Sequence, residues 1–143
     1  MVVFSTANAT TKFDHCDKDG PFRLPLLSVT LNPDPVIPGD HATFNITGTL
    51  NTDQTRNTAI FVYYYDLKSQ QMIGEKYLET ICPKGCMLTK ANTPFTKIVN
   101  FTAPKNLPTQ YGIVVNVVEV DYVENRLGIT QACAKAEVDI IPV

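Results

Sequence analysis

The chain contains no tryptophan and only two histidines, His15 and His41. Without Trp it lacks the Cys-Trp-Cys core pattern of antibody-type immunoglobulin domains. Both histidines read as turn or strand-start residues, with no nucleophile or metal arrangement around them, so no enzymatic activity is expected. No apolar run approaches the roughly 20 residues of a membrane-spanning helix, which leaves a soluble protein or one in transient contact with membranes. The formal net charge is -2, and Lys and Arg are scattered rather than gathered into a stripe, so nucleic acid is not an expected partner. There is no convincing amphipathic helical period either. The first residues, MVVFSTANAT, lack the basic region of a complete signal peptide. Residues 1–11 are read as a flexible N-terminal segment or signal remnant, and residues 12–143 as a single domain, long enough to bury its own core.

The organising stretch runs from Leu26 to Leu50. Leu27 to Leu31 is apolar and β-branched, Asn32-Pro33-Asp34-Pro35 cannot continue a central ladder, and Pro38-Gly39 sets a tight turn. The second strand then alternates. Ala42, Phe44, Ile46, Gly48 and Leu50 fall on one face, and Thr43, Asn45, Thr47 and Thr49 on the other, the period of a sheet with one wet side. Asn45-Ile46-Thr47 is a glycosylation sequon, and a sugar-bearing Asn45 faces water, which turns Phe44 and Ile46 inward. Two further sequons begin at Asn8 and Asn100. Together with four cysteines in a small β-rich chain, they point to an oxidising compartment. Four cysteines allow three pairings, and the residues alone do not choose among them.

Along the rest of the chain, Lys12 to His15 reads as extended and Asp17 to Pro21 as a turn. The latter fails a calcium-loop pattern at both ends, at His15 and Leu26. Thr58 to Tyr65 is apolar on both faces, placing Tyr63 and Tyr65 on one side and Tyr64 on the other. The plain reading is core packing with hydroxyls at the edge; the sharper one sets a phenol at the rim of a ligand pocket. Gln71 to Thr80 is another strand, and Cys82 and Cys86 flank a short Pro-Gly loop. Zinc would need four ligands, and Cys16 and Cys133 lie far off in sequence, so no metal or cofactor is expected. Phe95, Val99 and Phe101 share an inward face. In Tyr111 to Tyr122, Glu119 and Asp121 mark a wet side, so Val114, Asn116, Val118, Val120 and Tyr122 are expected to point in, with Asn116 needing a polar partner. Lys135, Glu137 and Asp139 face water, and Ala136, Val138 and Ile140 the core. Six to eight strands with turn signals between them give an all-β sandwich or barrel.

These residues together resemble a known family. KFDHCD at Lys12 to Asp17, LSVTLNPDPVIPG at Leu27 to Gly39, CPKGC at Cys82 to Cys86, LPTQYG at Leu107 to Gly112 and the late Cys133 occur in the order and approximate spacing of the ML lipid-recognition domain family. The chain looks closest to its fungal and plant phosphatidylglycerol/phosphatidylinositol transfer branch, and is more distantly similar to the soluble sterol carrier of Niemann-Pick type C disease. The resemblance implies an immunoglobulin-like sandwich of two antiparallel sheets with a lipid cavity between them. It also implies the pairs Cys16 with Cys133 and Cys82 with Cys86. The sterol carrier's additional disulfide near the proline corner has no counterpart at Asn32 and Asp34, which favours phospholipid over sterol. The expected cavity lining is Phe44, Ile46, Val62, Tyr64, Val99, Phe101, Val114, Val118, Val120, Tyr122 and Val138, with Phe22, Tyr64, Lys84 and Tyr122 as candidates for the mouth. On this reading a monomer is secreted or delivered to a vacuolar or lysosomal lumen, where it moves a phospholipid or sterol between membranes. An extracellular adhesion module with a closed, dry core is the competing function.

Overall fold

A computed structural model describes residues 11–16 and 24–140. Asn8, Phe22 and the turn at 17–21 lie outside the described residues. Among the described residues seven strands follow in order: β1 (Ser28–Asn32), β2 (His41–Gly48), β3 (Thr58–Asp66), β4 (Met72–Thr80), β5 (Phe95–Thr102), β6 (Gln110–Asp121) and β7 (Arg126–Asp139). They form two antiparallel sheets, β1-β2-β5 and β4-β3-β6-β7, so the protein is an all-β sandwich.

The sequence pattern explains the layering. In β2, Ala42, Phe44 and Ile46 are fully buried against the second sheet, while Asn45 faces out; Phe95 and Val99 of β5 do the same opposite them, with Asn100 outward. The larger sheet contributes Ile60, Val62 and Tyr64 from β3, Tyr111, Ile113, Val115 and Val117 from β6, and Ala132 and Ala134 from β7. The buried residues that β7 gives this core are small alanines, whereas β1 and β2 contribute Val29, Leu31, Phe44 and Ile46. At the proline corner, Asp40 N–H donates to the Ile37 carbonyl at 3.0 Å across a turn where Gly39 takes a φ of 84°. That left-handed backbone favours glycine.

The parity expected for β6 is corrected here. Val114, Val118 and Val120 lie on the opposite face of the sheet from the core, Val118 and Val120 in a separate cluster with Ala59 and Phe61. The error came from Glu119 and Asp121. Glu119 shares a face with Val115 and Val117 but sits past the end of the core, where its carboxylate accepts hydrogen bonds from the hydroxyls of Thr55 and Thr58. A charged residue at a strand end marks where the core stops, not which face is wet. Because β6 is a central strand covered on both faces, its own alternation carries little signal.

Disulfides join Cys16 to Cys133 and Cys82 to Cys86. Arg56 fixes the second loop, its Nη1 donating to the carbonyls of Cys82, Pro83 and Cys86 at 3.1, 3.1 and 2.8 Å.

Candidate functional site

The two long sides of the sandwich are sealed differently. On one side the chain ahead of β1 bonds to the edge of β7: Cys133 N–H donates to the Pro25 carbonyl at 3.3 Å, and Asp14 and Lys135 exchange two backbone bonds of 2.9 Å. The Cys16–Cys133 bridge sits in the same place. On the other side β4 pairs with β3 alone and β5 with β2 alone, so two edge strands face each other without a ladder.

Side chains close that second side. Pro104, just after β5, packs on Gly74, where an added Cβ would stand 3.2 Å from the proline Cγ. In the middle, the Tyr77 ring stacks on Phe101 with centroids 4.6 Å apart, and Phe101 stacks in turn on Phe44 at 4.9 Å. At the far end Lys97 and Glu79 form an ion pair of 3.6 Å. Burial, then the neighbouring Glu79 carboxylate, pushes the Tyr77 phenol above its usual range. Among the described residues the interior behind this seam is apolar but for two phenols and, toward one end, the buried side chains of Gln54 and Thr58. Tyr64 and Tyr111 are each 1% exposed, their rings are 6.1 Å apart, and neither hydroxyl has a protein hydrogen-bond partner. Burial raises both: Tyr64 well above the ordinary phenol range, with the neighbouring Tyr111 adding to it, and Tyr111 to about 12, with the Asp34 carboxylate adding to it. An unpaired hydroxyl in such surroundings is best kept neutral.

Of the residues expected to line an intersheet cavity, the structure brings Phe44, Ile46, Val62, Tyr64 and Val99 together in the core, with Phe101 and Val138 half-buried against it. Val114, Val118 and Val120 are not among them, for the reason given above, and Tyr122 is exposed in the turn after β6. Lys84 is exposed in the small disulfide loop. Asn45 and Asn100 stand exposed on the outer face of the smaller sheet, the Asn100 side-chain oxygen accepting a bond from Thr43.

Two open cavities lie away from the intersheet core. One, of about 600 Å³, is on the outer face of the larger sheet and is lined by Tyr63, Tyr65, Val114, Asn116, Lys135 and the Cys16–Cys133 bridge among others. It joins Tyr63, Tyr65 and Asn116, residues that the sequence offered separately as pocket-rim phenols and an amide seeking a partner. The Tyr65 ring lies flat across Gly112, and its phenol is raised by burial, then by Glu137 and Tyr63. The other cavity, of about 690 Å³, opens beside the β6–β7 hairpin, lined by Leu24, Val120, Tyr122, Val123 and Ile129 among others. Neither was anticipated. The signal was that β3 and β6 are apolar on both faces, which sets apolar side chains on the outer side of the sheet as well.

Among the described residues, no group of three or more His, Cys, Asp or Glu side chains is placed to hold a metal. His41 is at the exposed start of β2, its Nδ1 3.5 Å from the Thr102 hydroxyl.

No family model and no curated protein matches the chain. Among solved structures it is similar to chicken MD-1 in complex with lipid IVa, with a TM-score of 0.48 and 14% identity over 90% of this chain and 88% of that one. It is also similar to Spo0M, a sporulation control protein of Bacillus subtilis, with a TM-score of 0.47 and 13% identity over 85% of this chain and 51% of that one. At such distances neither likeness bears on the ligand.

Proposed function

We propose that this protein holds the acyl chains of a lipid between its two sheets and carries the lipid between membranes, admitting it through the β4–β5 seam. The observation that carries the reading is the seam itself: a long side of an apolar sandwich closed by side chains alone, in front of an interior with no paired polar group at Tyr64 or Tyr111. Burying a chain of about 16 methylenes is worth roughly 12 kcal/mol relative to water. A bilayer already provides that, so a carrier needs only an interior about as apolar as a membrane, together with a route that avoids water. Phosphatidylglycerol or phosphatidylinositol is the cargo implied by the sequence resemblance, with sterol as the competing cargo. The carrier would work in the secretory or lumenal space, consistent with the two disulfides.

The test locks the seam. Gly74 takes a φ of 67°, so a cysteine there is strained, but an ideal Cβ at that position stands 3.4 Å from the Cβ of Pro104, close to the spacing of a disulfide. The double variant Gly74→Cys/Pro104→Cys, incubated with vesicles of phosphatidylglycerol, phosphatidylinositol, phosphatidylcholine and a sterol, is read by native mass spectrometry. The reduced protein is expected to gain a discrete lipid mass and the oxidised protein none. Equal loading in both states would remove the seam as the route. No lipid mass in the wild type, with the fold and both native disulfides intact, would leave the adhesion-module reading, which the tightly filled interior favours.

A further inference from the structure

The loops at one end of the sandwich project apolar side chains into solvent. The register sets Glu119 opposite Thr58 and Thr80 opposite Ala59. The β6–β7 hairpin, the disulfide loop after β4 and the β2–β3 connection therefore share that end. There Val123 is 95% exposed, Met87 89%, Ile129 81% and Tyr122 58%. Single exposed apolar residues are ordinary, but three on one short hairpin form a patch that marks an interaction site. The patch is continuous with the cavity of about 690 Å³ beside it, because Tyr122, Val123 and Ile129 are also walls of that cavity.

Charge narrows the partner. The loops of this end carry Arg56, Lys84, Lys90 and Arg126 against Asp53, Glu119, Asp121 and Glu124, an even balance. Lys90 pairs with Asp53 at 3.8 Å, Arg126 pairs with Asp121 at 3.7 Å, and Arg56 is held by loop carbonyls. A surface with no net charge gains nothing from an anionic membrane through counter-charge attraction, whereas apolar tips inside a neutral rim suit insertion among zwitterionic headgroups. The seam runs down to the same end, finishing at the Lys97–Glu79 pair. We infer that this end is a docking surface for a neutral bilayer, with Val123, Ile129 and Met87 entering the acyl region. The inference rests on the lipid-carrier reading and says where the carrier meets its membrane.

Flotation with phosphatidylcholine vesicles, and with vesicles enriched in phosphatidylglycerol, tests it on the wild type and on Val123→Asp/Ile129→Asp. Both positions are solvent-exposed, so the variant is expected to melt like the wild type. The wild type is expected to float equally with both vesicles and to stay bound at high salt. The variant is expected to bind at least roughly tenfold more weakly, since two apolar side chains no longer enter the membrane. Unchanged flotation of the variant, or wild-type binding that needs phosphatidylglycerol and is lost in salt, would overturn the inference. So would concentration-dependent self-association of the wild type, abolished in the variant, with no flotation. Uptake of a monomeric short-chain phosphatidylcholine, read by mass spectrometry, separates the two readings. A variant that loads this lipid normally but exchanges slowly with vesicles supports docking on top of carriage. A wild type that floats, through these two residues, yet never loads lipid keeps the docking surface and removes the carrier.

Discussion

Tyr64→Phe should stabilise the lipid-free protein. The substitution deletes one hydroxyl and leaves the ring, so the edge contact with Phe101 at 6.3 Å and the tilted contact with Tyr111 at 6.1 Å are kept. The deleted group has no protein partner and is 1% exposed as part of its residue. A buried polar group left unsatisfied costs about 1–3 kcal/mol, so removing it should return about 1 kcal/mol after relaxation. In a domain of this size that is a rise in Tm of roughly 3–4 °C, measurable by calorimetry and by urea titration of delipidated protein. The pH profile supplies a second readout. Tyr111 has a folded pKa of about 12, above the unfolded value of 10.0, so the folded state retains a proton the unfolded chain loses. Its contribution to stability is therefore complete below about pH 10 and declines as pH rises toward 12. Tyr111→Phe should flatten that alkaline decline, and Tyr64→Phe should flatten it as well, since burial raises Tyr64 in the same direction. A loss of 1 kcal/mol or more in Tyr64→Phe, or an unaltered alkaline slope in both variants, would show that these hydroxyls are paired and the account of the interior is wrong.

Phe101→Ala removes the central ring of the seam and should cost about 2 kcal/mol of stability while accelerating lipid loading from vesicles several-fold in stopped-flow transfer assays; slower loading would count against the seam. Gly112→Ala places a Cβ 2.1 Å from the Tyr65 ring, so urea titration should show a loss of about 1–3 kcal/mol that largely disappears in a Tyr65→Ala background. Cys16→Ser/Cys133→Ser opens a loop spanning 117 residues and should cost on the order of 4 kcal/mol by denaturant titration, whereas Cys82→Ser/Cys86→Ser, which opens a loop spanning 4, should cost much less. After secretory expression, Asn45→Gln and Asn100→Gln should each remove one glycan's mass without moving Tm, because both side chains face solvent.

The legible parts of the sequence were strands with one wet face. Thr43, Asn45 and Thr47 identified the outside of β2, and the register with β5 follows the same alternation, with Thr43 beside Asn100 and Phe44 beside Val99. The proline corner was legible because Pro33, Pro35, Pro38 and Gly39 restrict backbone angles locally. β6 was not, since a central strand apolar on both faces offers no alternation to read. Of its two misleading markers, Glu119 reflects contacts with Thr55 and Thr58 that come from β3 and the loop before it, and Asp121 ends the strand in an ion pair with Arg126. Cavities on the outer face escaped for a related reason. Tyr63 and Asn116 meet only through the β3–β6 register, in which Tyr63 stands opposite Val114 and Phe61 opposite Asn116. Pairing between strands about fifty residues apart is not written in either strand.

The unequal sealing of the two sides decides how such a sandwich can open. Parting the seam sacrifices the aromatic stack between Tyr77 and Phe101 and the edge contact between Tyr64 and Phe101, each worth about 0.5–1.5 kcal/mol, the packing of Pro104 on Gly74, and one partly exposed ion pair between Lys97 and Glu79, worth about 0–1 kcal/mol. Parting the opposite side would break backbone bonds at Asp14, Pro25 and Lys135, and the Cys16–Cys133 bridge would still hold. The sheets should therefore pivot about the β7 side and separate along β4 and β5. The apolar surface uncovered by that motion is the larger cost in water, and it vanishes if an acyl chain replaces water at the seam. On the carrier reading proposed above, a membrane supplies that chain and bulk solvent does not, so opening would be coupled to contact with a bilayer without any dedicated lid.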